Sequence, residues 1–312
     1  MDFSSARLTL YDSRSMLSRF TVVLLDMNGT FMFGGDRFGP EQDFADTYRV
    51  LGGRRLAAQV VQDGVLACFE TLGAIYDDSA RCDSFAAVLE TLRDLPTTRD
   101  LPESELKLLE RVIAEHELGS VSETYALALK HLAATHRLGV IANIISRKEP
   151  WLSEFRRAGV LSLFETTVFS SDSRSVKPSR KLFEQALGAI NAPRSEVVFV
   201  GDSLRCDIGG AAGAGLASIW IDRAGRGRGA TDPEPTFVIG NLLELIIPRG
   251  PRSVLPHTRL KLAARVHYGM NLSSARRLSA IRQAASNGRR GCSCPNAAAL
   301  AQYEDHDTVV VQ

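Results

Sequence analysis

The sequence predicts an α/β protein: a doubly wound parallel sheet with a helical lobe inserted into it. Three observations point that way. Short apolar runs rich in β-branched residues recur at 21–25, 139–143, 166–169, 197–200, 217–221 and 237–239, each with the length and composition of a buried strand. Most of the later runs are separated by segments with helical spacing, and strands that alternate with helices form a parallel sheet covered on both faces. Between the first two runs lies a long stretch with helical periodicity and few β-branched runs, which implies a separate lobe.

Taken in order, Thr21-Val22-Val23-Leu24-Leu25 is the first strand and ends in Asp26-Met27-Asn28-Gly29-Thr30. From about Pro40 to about His136 the pattern is helical. Phe44, Tyr48 and Leu51 share one face, as do Phe85, Val88, Leu89 and Leu92, and then Leu106, Leu109 and Ile113. Pro96 and Pro102 interrupt the stretch, and Ser104 is a candidate cap for the helix that follows. Residues 139–143 are a strand, 150–158 a helix, 166–169 a strand and 180–190 a helix. The strand at 197–200 runs into Gly201-Asp202, residues 207–214 read as a helix of small residues, and strands at 217–221 and 237–239 close the sheet. The expected division is 1–33 with 137–248 as the α/β core, 34–136 as the inserted lobe, and 249–312 as a tail.

Bulk composition fits this division. The chain has 312 residues, 45% hydrophobic and 23% charged, an ordinary balance for a soluble protein with room for one large core or two smaller ones. No apolar run approaches the roughly 20 residues of a membrane span, and the first residues lack the pattern of a signal peptide. Five cysteines without framework spacing suit a reducing cytoplasm. The net charge of +1 hides an asymmetry: from Leu245 to Tyr303 there is no Asp or Glu, while arginines run from Arg249 to Arg290. A tail of this kind can touch nucleic acid or anionic lipid. With no aromatic platform beside the arginines, a flexible tail dispensable for the fold is the favoured reading.

The chemistry concentrates at strand ends. Asp26, Asn143 and Asp202 fall at the carboxyl ends of predicted strands, where parallel sheets bind their ligands. Asp26, Asp202 and Asp207 would repel one another if they converged, and a hard divalent cation such as magnesium relieves that. Lys177 can bring a positive charge, and Gly29 and Gly201 let the backbone approach an anion. A nucleophilic aspartate, a metal and a lysine together suit phosphoryl transfer through an aspartyl-phosphate.

These residues form four strings in order. Asp26-Met27-Asn28-Gly29-Thr30 resembles the first signature of the haloacid dehalogenase superfamily, usually D-x-D-G-T. Residues 138–143 resemble the second, Val176-Lys177-Pro178 the third, and residues 201–208, Gly-Asp-Ser-Leu-Arg-Cys-Asp-Ile, the fourth. The resemblance covers about Phe20 to Pro248. It implies a hydrolase of small molecules, most often phosphate esters, with a helical cap at the inserted lobe and Mg2+ as cofactor. Asp26 would be nucleophile and metal ligand, the Asn28 carbonyl and Asp202 further ligands, and Asp207 a support for the metal or for Lys177. Lys177 would hold Asp26 and the transferring group, while Thr30 and Asn143 would position the anion.

Two positions depart from the family pattern. At Asn28 the phosphatases carry an aspartate that protonates the leaving oxygen and activates water. An amide does neither near neutrality, and a positioned acid/base is worth roughly a hundred- to ten-thousand-fold. At Ala142 a Ser or Thr hydroxyl is common, a loss of about 0.5–1.5 kcal/mol. Members that cleave carbon–halogen or carbon–phosphorus bonds also lack the second aspartate, so those reactions stay open, as does a silent protein that binds a phosphorylated ligand or partner. The plainer readings are an Asn28-Gly29 turn, Asp207 as a helix cap, Cys206 as a packed small residue, and close helix packing at 210–215. Gly225-Arg226-Gly227-Arg228-Gly229 reads as a flexible loop. Phe31, Phe33, Arg37, Arg54 and Arg55 could face substrate, but core aromatics and surface arginines are the commoner explanation.

Overall fold

The computed structural model of the chain describes residues 16–246, and the basic segment from 249 onward lies outside them. Six strands form one sheet: β1 (Val22–Leu25), β2 (Arg137–Ala142), β3 (Phe164–Phe169), β4 (Val197–Gly201), β5 (Ala217–Ile221) and β6 (Phe237–Ile239). Their order is β3-β2-β1-β4-β5-β6, and each neighbouring pair runs parallel. The order reverses at β1, so the crevice beyond the carboxyl ends of β1 and β4 is the switch point where such sheets hold ligands.

The apolar runs are explained by burial on both faces. Val23 and Leu25 of β1 point to one side with Val198, Val200, Ile219 and Ile221, under Trp151 and Phe155 of a helix spanning Glu149–Arg157. Val22 and Leu24 point to the other with Val197 and Phe199, under Leu182, Phe183 and Ala186 of a helix spanning Arg180–Ile190. Gly210 lets the following small-residue helix close on that layer, since a Cβ there would sit 2.5 Å from the Phe183 ring.

Five helices lie between β1 and β2: α1 (Phe44–Val50), α2 (Ala58–Asp77), α3 (Val88–Asp94), α4 (Glu103–Glu117) and α5 (Glu123–Ala133). Four of them share a separate core that includes Phe44, Tyr48, Val65, Leu72, Leu92 and Leu109. Helix α5 does not belong to it: Tyr125, Leu129 and Leu132 pack with the sheet. Phe33 pairs antiparallel with Ser120, and we propose this pair, rather than residue 136, as the end of the insertion. Two local expectations also change. Helix α4 begins at Glu103, with Pro102 at the cap position and no side-chain cap bond, so Ser104 lies inside the first turn, past where a cap acts. Residues 207–214 are not one helix: a π-helical turn, Leu204–Ile208, precedes a short helix, Gly209–Gly213. Among the described residues no helix is long and apolar enough to cross a membrane.

Candidate active site

Beyond the last residue of β1, Asp26 is nearly buried (6% exposed). Its Oδ1 accepts from the Lys177 ammonium at 2.5 Å, and its Oδ2 from the Thr30 hydroxyl at 3.1 Å, so the carboxylate is fixed at both oxygens. The same ammonium donates to Asp207 Oδ1 at 2.8 Å. Lys177 is itself buried (2% exposed). Burial works against its charge, but Asp207 and Asp26 outweigh that and raise it above the usual lysine range. One ammonium therefore faces two buried carboxylates, with a third, Asp202, beside them.

Oxygens of Asp26, Asp202 and Asp207 lie within 4.8 Å of one another. Burial first, then the Asp207 charge, raises Asp26 to about 6 in spite of Lys177. Loss of water around its carboxyl and then the Asp26 and Asp207 charges raise Asp202 to about 8. An acidic excess made of hard oxygen donors is what a divalent cation neutralises, and the residues present fit magnesium.

Local sequence explains the convergence. Gly29 has φ +78°, and a Cβ there would fall 2.2 Å from Asp202 Oδ2, so only glycine lets the Asp26 loop and the β4 loop close together. A Cβ at Gly201 would lie 2.5 Å from Asp207. Asp207 does not cap the helix after it. Its Oδ2 accepts from the Ser203 N–H at 2.8 Å while Oδ1 meets Lys177, and Ser203 is the side chain that caps the turn, accepting from Cys206 N–H.

Asn143 lies on the same side but spends its amide on the backbone: Oδ1 accepts from Lys177 N–H at 2.8 Å and Nδ2 donates to Lys177 O at 3.4 Å. It holds the lysine loop in place. Asn28 forms a bridge with Met32 in the turn after β1. Of the other residues singled out in the sequence, Phe31 is buried against Phe155 and Phe164, and Arg37 donates to the Gly34 and Leu118 carbonyls. Arg54 donates to the Arg49 and Gly53 carbonyls.

Four residues that sequence reasoning passed over sit around this group. Tyr76, at the end of α2, brings its hydroxyl 3.2 Å from Cys206 Sγ, and Arg205 lies over its ring. Arg223 donates to the Gly29 carbonyl at 2.6 Å. Glu117, where α4 returns to the sheet, accepts from Ile145 N–H, Ser146 N–H and the Ser146 hydroxyl. Arg205 and Cys206 were visible inside the fourth string; nothing in the sequence marked Tyr76, Glu117 or Arg223.

Comparison with known proteins agrees with the geometry. A family model described as HAD-hydrolase-like matches residues 176–245. The chain is 34% identical over 121 residues to the pyrimidine 5'-nucleotidase YjjG of Escherichia coli, covering 38% of this chain and 51% of that protein. It is 31% identical over 127 residues to a phosphoserine phosphatase of Thermus thermophilus, covering 39% and 50%. The chain thus spans about half the length of these curated relatives. Its fold is shared with a 2-haloacid dehalogenase from Pseudomonas syringae pv. Tomato, with TM-score 0.53 and 22% identity over 72% of this chain and 96% of that one. The family match lies within residues 176–245, and the likeness to the dehalogenase is one of fold.

Proposed function

We propose that this haloacid dehalogenase-like chain is a magnesium-dependent phosphate-ester hydrolase that works through a covalent intermediate on Asp26. The observation that carries the reading is the buried Asp26–Lys177–Asp207 group, in which one ammonium holds the carboxylate at the switch point of the sheet. Asp26, the Asn28 carbonyl and Asp202 would hold the metal, which neutralises charge on the transferring phosphoryl group.

An Asp26 oxygen forms the new bond to phosphorus as the ester P–O bond breaks, and the electron pair leaves with the alcohol oxygen. Lys177 keeps the attacking carboxylate in place and faces the negative charge that moves onto the phosphoryl oxygens. A water oxygen then bonds to phosphorus as the Asp26 O–P bond breaks, its proton passes to solvent, and phosphate leaves with Asp26 restored. Asn28 neither gives nor takes a proton, so the leaving oxygen must collect its proton from solvent. Turnover is consequently fastest with leaving groups that need no acid, such as phenols.

The same nucleophile serves carbon–halogen hydrolysis, a second reading favoured by Asn28 and Ala142. The purified chain, assayed with magnesium against an aryl phosphate, a 2-haloacid and a phosphonate, separates the two. Turnover of the aryl phosphate that is lost in Asp26→Asn supports the proposal; turnover of the haloacid alone overturns it.

A further inference from the structure

Arg205 occupies the π-helical turn between Asp202 and Asp207. Its guanidinium carbon stands 5.0 Å from the centroid of the Tyr76 ring, and its Nη1 is buried with no hydrogen-bond partner. Other arginines find acceptors: Arg137, Arg147, Arg157, Arg174 and Arg194 each meet a carboxylate, and Arg37, Arg54 and Arg223 meet backbone carbonyls. Among the described residues Arg205 has no such partner. A buried charged donor without an acceptor is costly, and such a group in a native protein calls for a ligand or a reason.

Its surroundings point to a ligand. Tyr76 belongs to the inserted helices and Arg205 to the sheet domain, so the pair forms where the two close together. The Tyr76 hydroxyl reaches Cys206 Sγ at 3.2 Å. Cys206 adjoins Asp207, which shares the Lys177 ammonium with Asp26. The orphan donor is therefore a short chain of contacts from the nucleophile. A guanidinium that spends no donor on a carboxylate can offer two N–H groups to the oxygens of a planar or tetrahedral anion. Burial and then the neighbouring Cys206 push the Tyr76 phenol well above its usual range, so it stays neutral and adds no repulsion.

We propose that Arg205, backed by Tyr76, is a leaving-group subsite selecting phosphate esters that carry a second oxyanion near the ester oxygen. The anion is a carboxylate or a second phosphate, whose shared chemistry is a pair of oxygens for one guanidinium. The subsite deepens the phosphatase reading and rests on it.

The test uses the full chain with magnesium and three matched esters: 2-phosphoglycolate, 1,2-ethanediol bisphosphate and neutral 2-hydroxyethyl phosphate. Wild type should favour at least one anionic ester in kcat/KM by about tenfold or more, the worth of a charge-assisted contact. Which of the two it favours identifies the anion. Arg205→Met should collapse that ratio mainly through KM, and Arg205→Lys, with charge but no fork, should keep part of it. Binding is read separately in Asp26→Asn by thermal shift, where 2-phosphoglycolate or the bisphosphate should stabilise more than the neutral ester, and adding Arg205→Met should erase the difference. Turnover without preference, or a preference that survives Arg205→Met, overturns the subsite and leaves the phosphatase standing. Arg205-dependent binding without turnover of any ester removes the phosphatase, and the leaving-group role of Arg205 falls with it. Equal binding of the three esters overturns the subsite.

Discussion

Replacing Lys177 by Met isolates the contribution of the one ammonium that the buried carboxylates share. Methionine matches the lysine stem in volume, so the change removes charge and donors with little cavity. Asp26 and Asp207, 6% and 1% exposed, would then face each other across the 2.5 and 2.8 Å contacts that the lysine now makes. Removing one partner of a buried ion pair costs about 3–5 kcal/mol because the other charge stays desolvated. Here two charges are stranded, so the upper part of that range applies. For a domain of this size each kcal/mol moves Tm by about 2–4 °C, and the expected fall is on the order of 10–20 °C. Thermal unfolding followed by circular dichroism, without metal, reads it. Magnesium should restore part of the loss, since the cation replaces the missing positive charge. A fall of under about 3 °C would show that the carboxylates are not held by Lys177, and the description of the site would fail with it.

Other perturbations probe separate parts of the account. Restoring an acid with Asn28→Asp should raise kcat/KM on alkyl phosphates by about a hundredfold or more; an unchanged rate argues for a different bond or a silent protein. Magnesium should raise the melting temperature of the wild type, and Asp202→Ala should remove the effect; equal stabilisation of both places the metal elsewhere. Gly29→Ala should cost about 1–2 kcal/mol from its φ of +78° alone, with further loss as Asp202 is displaced, and a neutral outcome in chemical denaturation would contradict the close approach. Glu117 supplies a pH test. Burial and then Asp36 raise it to about 8 against its three donors, and Asp36 is itself raised to about 6 by burial. The folded state then binds more protons than the unfolded one between about pH 4.5 and 8, so stability falls as pH rises through that window, by at most about 1.4 kcal/mol per unit for one proton. Glu117→Gln should flatten the decline of Tm with pH; the same slope in both proteins would show that Glu117 is ionised throughout.

Strands β5 and β6 and the helix Arg180–Ile190 were legible to the residue, because an apolar run or a clean helical face is a local property. Helix α5 was legible as a helix but not as part of the sheet domain. The spacing of Tyr125, Leu129 and Leu132 says that one face is buried; which core buries it depends on where the chain returns, at the Phe33–Ser120 pair. The site divides in the same way. Asp26, Asp202 and Asp207 stood out because strand ends and glycines frame them, and Lys177 because of its Val-Lys-Pro setting between the second and fourth strings. The resemblance already implied that Asp207 supports Lys177; its second contact, with the Ser203 N–H, follows from the π-helical turn, which no composition signals. Tyr76 and Arg205 are ordinary residues until α2 closes on the fourth string. Glu117 looks like any helix-end glutamate until Ile145 and Ser146 meet it.

If Asp26 carries the phosphoryl group, the group can be trapped there. An aryl phosphate that the enzyme turns over is mixed with excess enzyme and magnesium, quenched within one turnover and reduced with borohydride, which converts an acyl phosphate to an alcohol. Homoserine is expected at position 26 by tandem mass spectrometry, dependent on substrate and absent from Asp26→Asn. Turnover of the ester with Asp26 unmodified, or modification at Asp202 or Asp207 in its place, would contradict an intermediate on Asp26.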